Sequence, residues 1–166
     1  MQAKFTIRPA KPEDRPALVT LMQLLQETER ELHTNRSPGA EISDAHFAYL
    51  EELSREQNGQ IYVAEFQQDI LGFVVCFMEK LDEADLHVVE SDREFGYISD
   101  LYVVSTMRKQ GVAAALMQAA EQHFLNLNLA SVRVGLLCRN ESAARFYQKV
   151  GYQPYEIVYE KRIKEP

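Results

Sequence analysis

The stretch from Tyr97 to Leu127 limits what this chain can fold into more than any other. Tyr97-Ile98-Ser99-Asp100-Leu101-Tyr102-Val103-Val104 is rich in β-branched and aromatic residues and reads as a strand. Ser105-Thr106-Met107-Arg108-Lys109-Gln110-Gly111 follows as a loop carrying two cations and one glycine. A helix then opens at Val112-Ala113-Ala114 and runs to about Leu127. At about 100° per residue, Val112, Ala115, Leu116, Ala119, Ala120, His123 and Leu127 share an arc of roughly 140°, so one face of that helix is packed. The first amide N–H groups of a helix lack intrahelical partners, and the dipole there favours an anion. With Arg108 and Lys109 alongside, the turn is a candidate phosphate cradle.

Neither common phosphate pattern is present. A P-loop needs a second spaced glycine followed by Lys and Ser or Thr, and a dinucleotide fold needs G-x-G-x-x-G. What stands here is Arg108-x-x-Gly111-x-Ala113, for which the alternative is an ordinary loop with its cations in water. A second constellation follows: Asn140-Glu141-Ser142-Ala143-Ala144-Arg145-Phe146-Tyr147-Gln148-Lys149-Val150-Gly151-Tyr152. Asn140 is a good helix N-cap, and Tyr147 projects within about 20° of its direction two turns later, so one ligand can touch both. The competing roles are a plain helix cap for Asn140 and a core aromatic for Tyr147.

Together these segments resemble the GNAT superfamily of acyl-CoA-dependent N-acyltransferases. Arg108-x-x-Gly111-x-Ala113 is similar to the family's (Arg/Gln)-x-x-Gly-x-(Gly/Ala) pyrophosphate signature, with Ala113 where a second glycine is commoner and Ser105 where proline is frequent. Asn140 to Tyr152 is similar to N-x-x-A-x-x-x-Y-x-x-x-G-(F/Y). The resemblance implies an α/β fold, a three-layer sandwich with a mixed central sheet flanked by helices, as one domain over residues 1–166. It implies acetyl-CoA as co-substrate, no metal, and direct attack of a primary amine on the thioester. By the same resemblance Asn140 bonds the pantetheine arm and Tyr147 protonates the departing thiolate. The backbone of Leu101, Tyr102 and Val103 would line that arm beside a cleft opened by a strand bulge, with an N–H near Val103 facing the thioester oxygen. Arg108, Lys109, Gln110, Gly111, Val112, Ala113 and Ala114 would hold the pyrophosphate.

The base is not fixed by the resemblance. Asp100, on the central strand near the cleft, is the candidate, against a structural role bonded to loop amides. Tyr97, Glu94 and His87 are weaker candidates, and Gly135 stands where some members of the family place a glutamate. Water is the other carrier.

Around this centre the chain reads as a regular succession. Phe5–Arg8 alternates as a first strand, and a helix with Leu18, Leu21, Met22 and Leu25 on one face runs to about Glu31. Residues 33–40 read as a loop, and Ser43 is placed to cap a second helix carrying Phe47, Leu50 and Leu53 that ends at Asn58-Gly59. Gln60–Phe66 and Ile70–Leu81 form a hairpin. Ala130–Leu137 reads as a strand, Asn140–Val150 as a helix stopped by Gly151, and Tyr155–Arg162 as a closing strand.

A formal charge of −7 over 166 residues argues against nucleic acid as a partner and permits a cationic acceptor. Acids between Asp82 and Glu94, with Glu27, Glu29 and Glu31, would attract such an amine, although charge runs are more often solvated faces. His33, His46 and His123 show no ligand spacing and are assigned to core or surface. Cys76 and Cys138 are far apart and apolar in setting, the N-terminus has no apolar leader core, and Ile70–Met78 is too short to span a bilayer. A cytoplasmic protein without a membrane partner is expected. The acceptor stays open between a small polyamine or aminoglycoside, an amino acid and a protein N-terminus. Many members of the family dimerise, so a homodimer is open too. The rival functions are a catalytically inactive acyl-CoA-binding sensor or interaction module, which has no need of Tyr147, and an unrelated nucleotide-binding protein, which lacks its P-loop lysine.

Overall fold

The computed structural model describes residues 5–164. Its sheet holds β1 (Thr6–Pro9), β2 (Gln60–Phe66), β3 (Asp69–Lys80), β4 (Glu94–Val103) and β5 (Val132–Val134), in that spatial order. Neighbours are antiparallel except β4 and β5, which are parallel. A parallel step needs a crossover, and α3 (Val112–Asn126) supplies it.

Helices cover both faces, giving the three layers. On one side α1 (Arg15–Leu32) and α2 (Gly39–Glu56) bring Leu18, Leu21, Met22, Phe47 and Leu50 onto Val63, Phe73, Val75 and Phe77. On the other, α3 sets Val112, Leu116, Met117, Ala120 and Phe124 against Leu71, Val74, Cys76, Ile98 and Val103. β3 is buried on both faces, which accounts for its unbroken apolar run. α4 (Glu141–Lys149) adds Phe146 and Tyr147 to the α3 side. The approach of α3 to β4 depends on Gly96, where a Cβ would lie 2.3 Å from the Phe124 ring.

Four expectations need correction. α3 buries Met117 and Phe124, the latter with its ring over Gly96, while His123 and Leu127 lie outside its buried set. α2 begins at Gly39, four residues before Ser43, which is buried inside the helix. The Gly39 N–H donates to the Glu27 carboxylate of α1, so the cap comes from a neighbouring helix. β5 covers Val132–Val134 within the expected Ala130–Leu137. Tyr155–Arg162 is not a strand: it has no ladder partner among the described residues, and Val158 and Tyr159 are 84% and 90% exposed. Strand propensity expresses fit to a pleated, half-buried surface, and so short a β5 offers little edge to build on.

Candidate active site

The site begins with one extra residue in β4. Val75 of β3 pairs with Asp100 but Cys76 pairs with Ile98, so Ser99 is bulged out of the ladder. The bulge resets which face each side chain takes. Ile98 joins the α3 core, as do Leu101 and Val103, whereas Asp100 is carried to the α1/α2 face with Tyr97 and Tyr102.

The same point is where the sheet opens. β5 pairs with β4 only at Gly96, Tyr97 and Ile98, so β4 continues past the bulge with a bare edge. The Val104 N–H donates to the Leu71 carbonyl at 2.9 Å, which fixes the alternation. The main-chain N–H and C=O of Leu101 and Val103 therefore face the opening, while those of Tyr102 are turned to β3. Of the three expected backbone contacts, Leu101 and Val103 are placed to make them and Tyr102 is not. Arg108 closes the lower end, with Nε donating to the Val103 carbonyl at 3.2 Å and its guanidinium 5.6 Å from the centre of the Tyr102 ring.

Beyond Val103 the chain turns through Ser105–Met107 into α3. Gly111 is the helix N-cap, at φ 87°, a left-handed backbone that glycine adopts without strain. Lys109 shares the left-handed region at φ 62°, and Gln110 ties the loop by donating to the Thr106 carbonyl at 3.0 Å. Since Ala115 N–H is the first to reach back, to Gly111 O, the N–H groups of Val112, Ala113 and Ala114 have no partner within the helix. A Cβ on Gly111 would meet nothing within 4 Å, so the space above this turn is open. Backbone donors, the helix dipole and the adjacent cations suit an anion such as a pyrophosphate.

Asn140 caps α4, its Oδ1 accepting from the Ala143 N–H at 3.1 Å. The Tyr147 ring lies 5.4 Å from Phe146 and 6.0 Å from Tyr152, and the Tyr152 hydroxyl donates to Glu121 at 2.9 Å, fastening the segment just after α4 to α3. Burial pushes the Tyr147 phenol up to about 12, helped by the negative charges of Asp100 and Glu29 and by Tyr97. Tyr147 thus stays protonated at neutral pH, and both carboxylates are near enough to act on it.

Asp100 is only 9% exposed, and its ionic neighbour is a side chain, not a run of loop amides. His46 of α2 brings Nε2 to 3.9 Å from Asp100 Oδ1 and stacks on Tyr49. Asp100, with Glu29 adding, raises the His46 imidazole above its ordinary value. Glu29 of α1 is itself raised by burial, against the pull of Arg36, whose Nε stands 3.3 Å away. His46 and Arg36 escaped the sequence reading because no spacing links them to β4; only tertiary packing does.

The weaker candidates fall elsewhere. Glu94 pairs with Lys80 at 3.3 Å, and His87 sits exposed beside Asp85. Tyr97 is raised by burial, and its hydroxyl lies 3.0 Å from where a Gly135 Cβ would stand, filling the room of a side chain at that position. Cys76 is buried with its thiol pushed up to about 12. The surface depressions around Lys80–Glu94 and around Val132 and Gln153 do not coincide with the cleft, which is an opening in the sheet and not an enclosed cavity. No helix among the described residues is long and apolar enough to cross a membrane.

A family model described as "Acetyltransferase (GNAT) family" matches residues 19–152, a span that includes the bulge, the α3 turn and α4. The chain belongs to the GNAT acetyltransferases. Among curated relatives, this GNAT chain is 30% identical over 95 residues to an uncharacterized N-acetyltransferase of Archaeoglobus fulgidus, covering 57% of this chain and 60% of the relative. It is 30% identical over 98 residues to N-alpha-acetyltransferase 30 of Schizosaccharomyces pombe, covering 59% and 60%. The matches thus span about 60% of those relatives' own length. In fold it is similar to a mutant of the BH1408 protein of Bacillus halodurans, with a TM-score of 0.82 at 18% identity over 96% of this chain and 99% of that one. It is also similar to an aminoglycoside N-acetyltransferase in complex with CoA, with a TM-score of 0.70 at 17% identity over 96% and 94%.

Proposed function

We propose that this GNAT protein transfers an acetyl group from acetyl-CoA to a primary amine by direct attack, with Tyr147 as the general acid. The observation that supports this is the buried Tyr147 phenol, which packs on the same α3-side core as Leu101 and Val103 and carries its proton at neutral pH. The donor supplies an electrophilic thioester carbonyl. The turn at Gly111, with the free N–H groups of Val112, Ala113 and Ala114, holds its pyrophosphate, and Arg108 and Lys109 add charge. The exposed edge of Leu101 and Val103 takes the pantetheine amides, as a strand takes a partner. The Val103 N–H donates to the carbonyl oxygen as negative charge builds there. Asn140 keeps its cap to Ala143 and offers its amide NH2 to the same arm.

Chemistry then needs a proton for the thiolate and a place for the amine's proton. Tyr147 gives the first. The second is left to the α1/α2 side of the opening, where Asp100 and His46 meet, or to water. A cationic amine suits that side, since Asp100 and Glu29 both face it. Polyamines, aminoglycosides and peptide N-termini all carry such a group.

The test is calorimetric titration with acetyl-CoA, with ATP and NAD as controls, followed by thiol release against an amine panel. Selective saturable binding to acetyl-CoA supports the donor, and amine-dependent thiol release supports the transfer. Absence of binding by folded protein overturns the reading. Binding without turnover by any amine would favour the acyl-CoA sensor instead.

A further inference from the structure

We propose that His46 is the proton acceptor for the amine, that Asp100 is its positioning residue, and that Glu29 completes an anionic wall selecting a cationic acceptor. This rests on the acetyltransferase reading above and assigns the role left open in it.

The argument starts from the bulge. In a regular strand, with Ser99 taking its own place in the ladder, Asp100 would share a face with Ile98 and lie on the α3 side. With Ser99 bulged out, Asp100 is instead aimed at the α1/α2 layer, where His46 is the imidazole it meets, at 3.9 Å through Nε2. A carboxylate facing Nε2 favours the tautomer with hydrogen there and leaves the Nδ1 lone pair to receive a proton. Asp100 itself is a poor exit for a proton, being almost fully buried. The His46 side chain is 34% exposed and can pass its proton to water. One side chain therefore reaches both the cleft's carboxylate and the solvent.

The groups facing His46 can be named from each element around it. Asp100 comes from β4, Glu29 from α1 and Tyr49 from its own helix; Arg36 acts through Glu29, and Tyr97 and Tyr147 stand behind the carboxylates. Net charge around the imidazole is negative, which attracts an ammonium group and strengthens the imidazole as a base.

The steps balance. An N–H bond of the ammonium breaks, its proton goes to Nδ1 of His46, and the freed lone pair forms the new C–N bond at the thioester carbonyl. The C–S bond breaks with its electron pair on sulfur, and Tyr147 protonates that sulfur. The nitrogen's surplus proton replaces the one Tyr147 gave, and His46 returns its own to solvent.

The experiment has two arms. In the first, the imidazole of His46 is titrated by NMR in the native protein and in Asp100→Asn. It should titrate above 6.5 in the native protein and move down in the variant. A His46 at the ordinary value, unmoved by Asp100→Asn, overturns the proposal without any acceptor. In the second, thiol release is followed with spermidine and with a peptide α-amine, from pH 5.5 to 9. Native kcat/KM should rise through the His46 titration and level above it. His46→Gln should lose roughly 100-fold or more in kcat. It should also lose that limb, with acetyl-CoA affinity unchanged. Asp100→Asn should keep the limb but shift it to lower pH. Turnover and limb retained in His46→Gln overturn this proposal alone. Failure of native protein to bind acetyl-CoA overturns the reading beneath it.

Discussion

The two sides of the cleft are built from different materials. The side proposed for the donor, from β4 through the Gly111 turn into α3, presents mainly backbone: the edge of Leu101 and Val103 and the amides of Val112, Ala113 and Ala114. The side proposed for the acceptor presents side chains, Glu29, Arg36, His46 and Asp100, drawn from α1, the following loop, α2 and β4. Backbone recognition constrains the chain locally, through a glycine that accepts a left-handed φ and a helix that starts on cue. Side-chain recognition needs only that distant residues meet.

Tyr147, on the α3 side, is the proposed acid, and its removal should have the largest effect. Tyr147→Phe is expected to lower kcat by roughly 100-fold to 10,000-fold while the KM for acetyl-CoA moves little. Steady-state kinetics with varied acetyl-CoA would check this. An unchanged kcat would leave Tyr147 as a packing residue and break the symmetry of acid on one side and base on the other.

The donor side depends next on how closely α3 lies on β4. Gly96→Ala sets a Cβ into the Phe124 ring, which is itself fully buried, and should cost about 1–3 kcal/mol of stability. Urea unfolding gives the number. A smaller cost would mean that α3 can slide, and the cradle would then be less rigid than the comparison requires.

A similar but more local effect belongs to Gly111. Gly111→Val forces a β-branched residue into φ 87° and puts bulk into the open space above the turn. Acetyl-CoA affinity should weaken about tenfold, from a strain of roughly 1–2 kcal/mol and the crowded phosphate approach. Gly111→Ala separates the two, keeping most of the strain with less bulk. Unaltered affinity in both would remove the pyrophosphate from this turn.

The same contrast explains what could be read from the sequence. Strands β2 and β3, both long helices and the loop into α3 were legible because each announces itself by period, propensity or turn residues within its own span. Arg108, Gly111, Asn140 and Tyr147 were legible as spaced motifs. A bulge in this strand was expected only through the family resemblance, and its place at Ser99 was not legible, since one added residue leaves no mark on a strand-like run, yet it decides which face Asp100 takes. The start of α2 was missed because Glu27, on another helix, caps it. His46 was passed over as core or surface because its partner lies on β4, more than fifty residues later. Tyr155–Arg162 has the composition of a strand and no edge to join.

The smallest effect sharpens the comparison at the base of the acceptor side. Arg8 on β1 donates to both oxygens of Asp14, just before α1, at 2.7 and 2.9 Å, and also to Glu65 on β2. This side-chain staple fixes where α1 leaves the sheet, as Gly96 fixes α3. The Arg8 guanidinium holds the Asp14 carboxyl below its ordinary 3.8. A carboxyl depressed on folding adds stability that is fully present above its unfolded pKa and is lost as pH falls through the folded one. Arg8 keeps 21% of its side-chain surface in water, which screens the pair, so Asp14→Asn should cost only about 1 kcal/mol at pH 7. Between pH 5 and 7 that difference from native protein should stay level, and below the ordinary carboxylate value it should close. Urea unfolding at pH 7, 5 and 3 measures it. A gap that persists undiminished at the lowest pH would show that Asp14 acts as a neutral hydrogen-bonding cap to the Lys11 N–H, and that the acceptor layer is held by α1 and α2 packing instead of by charge.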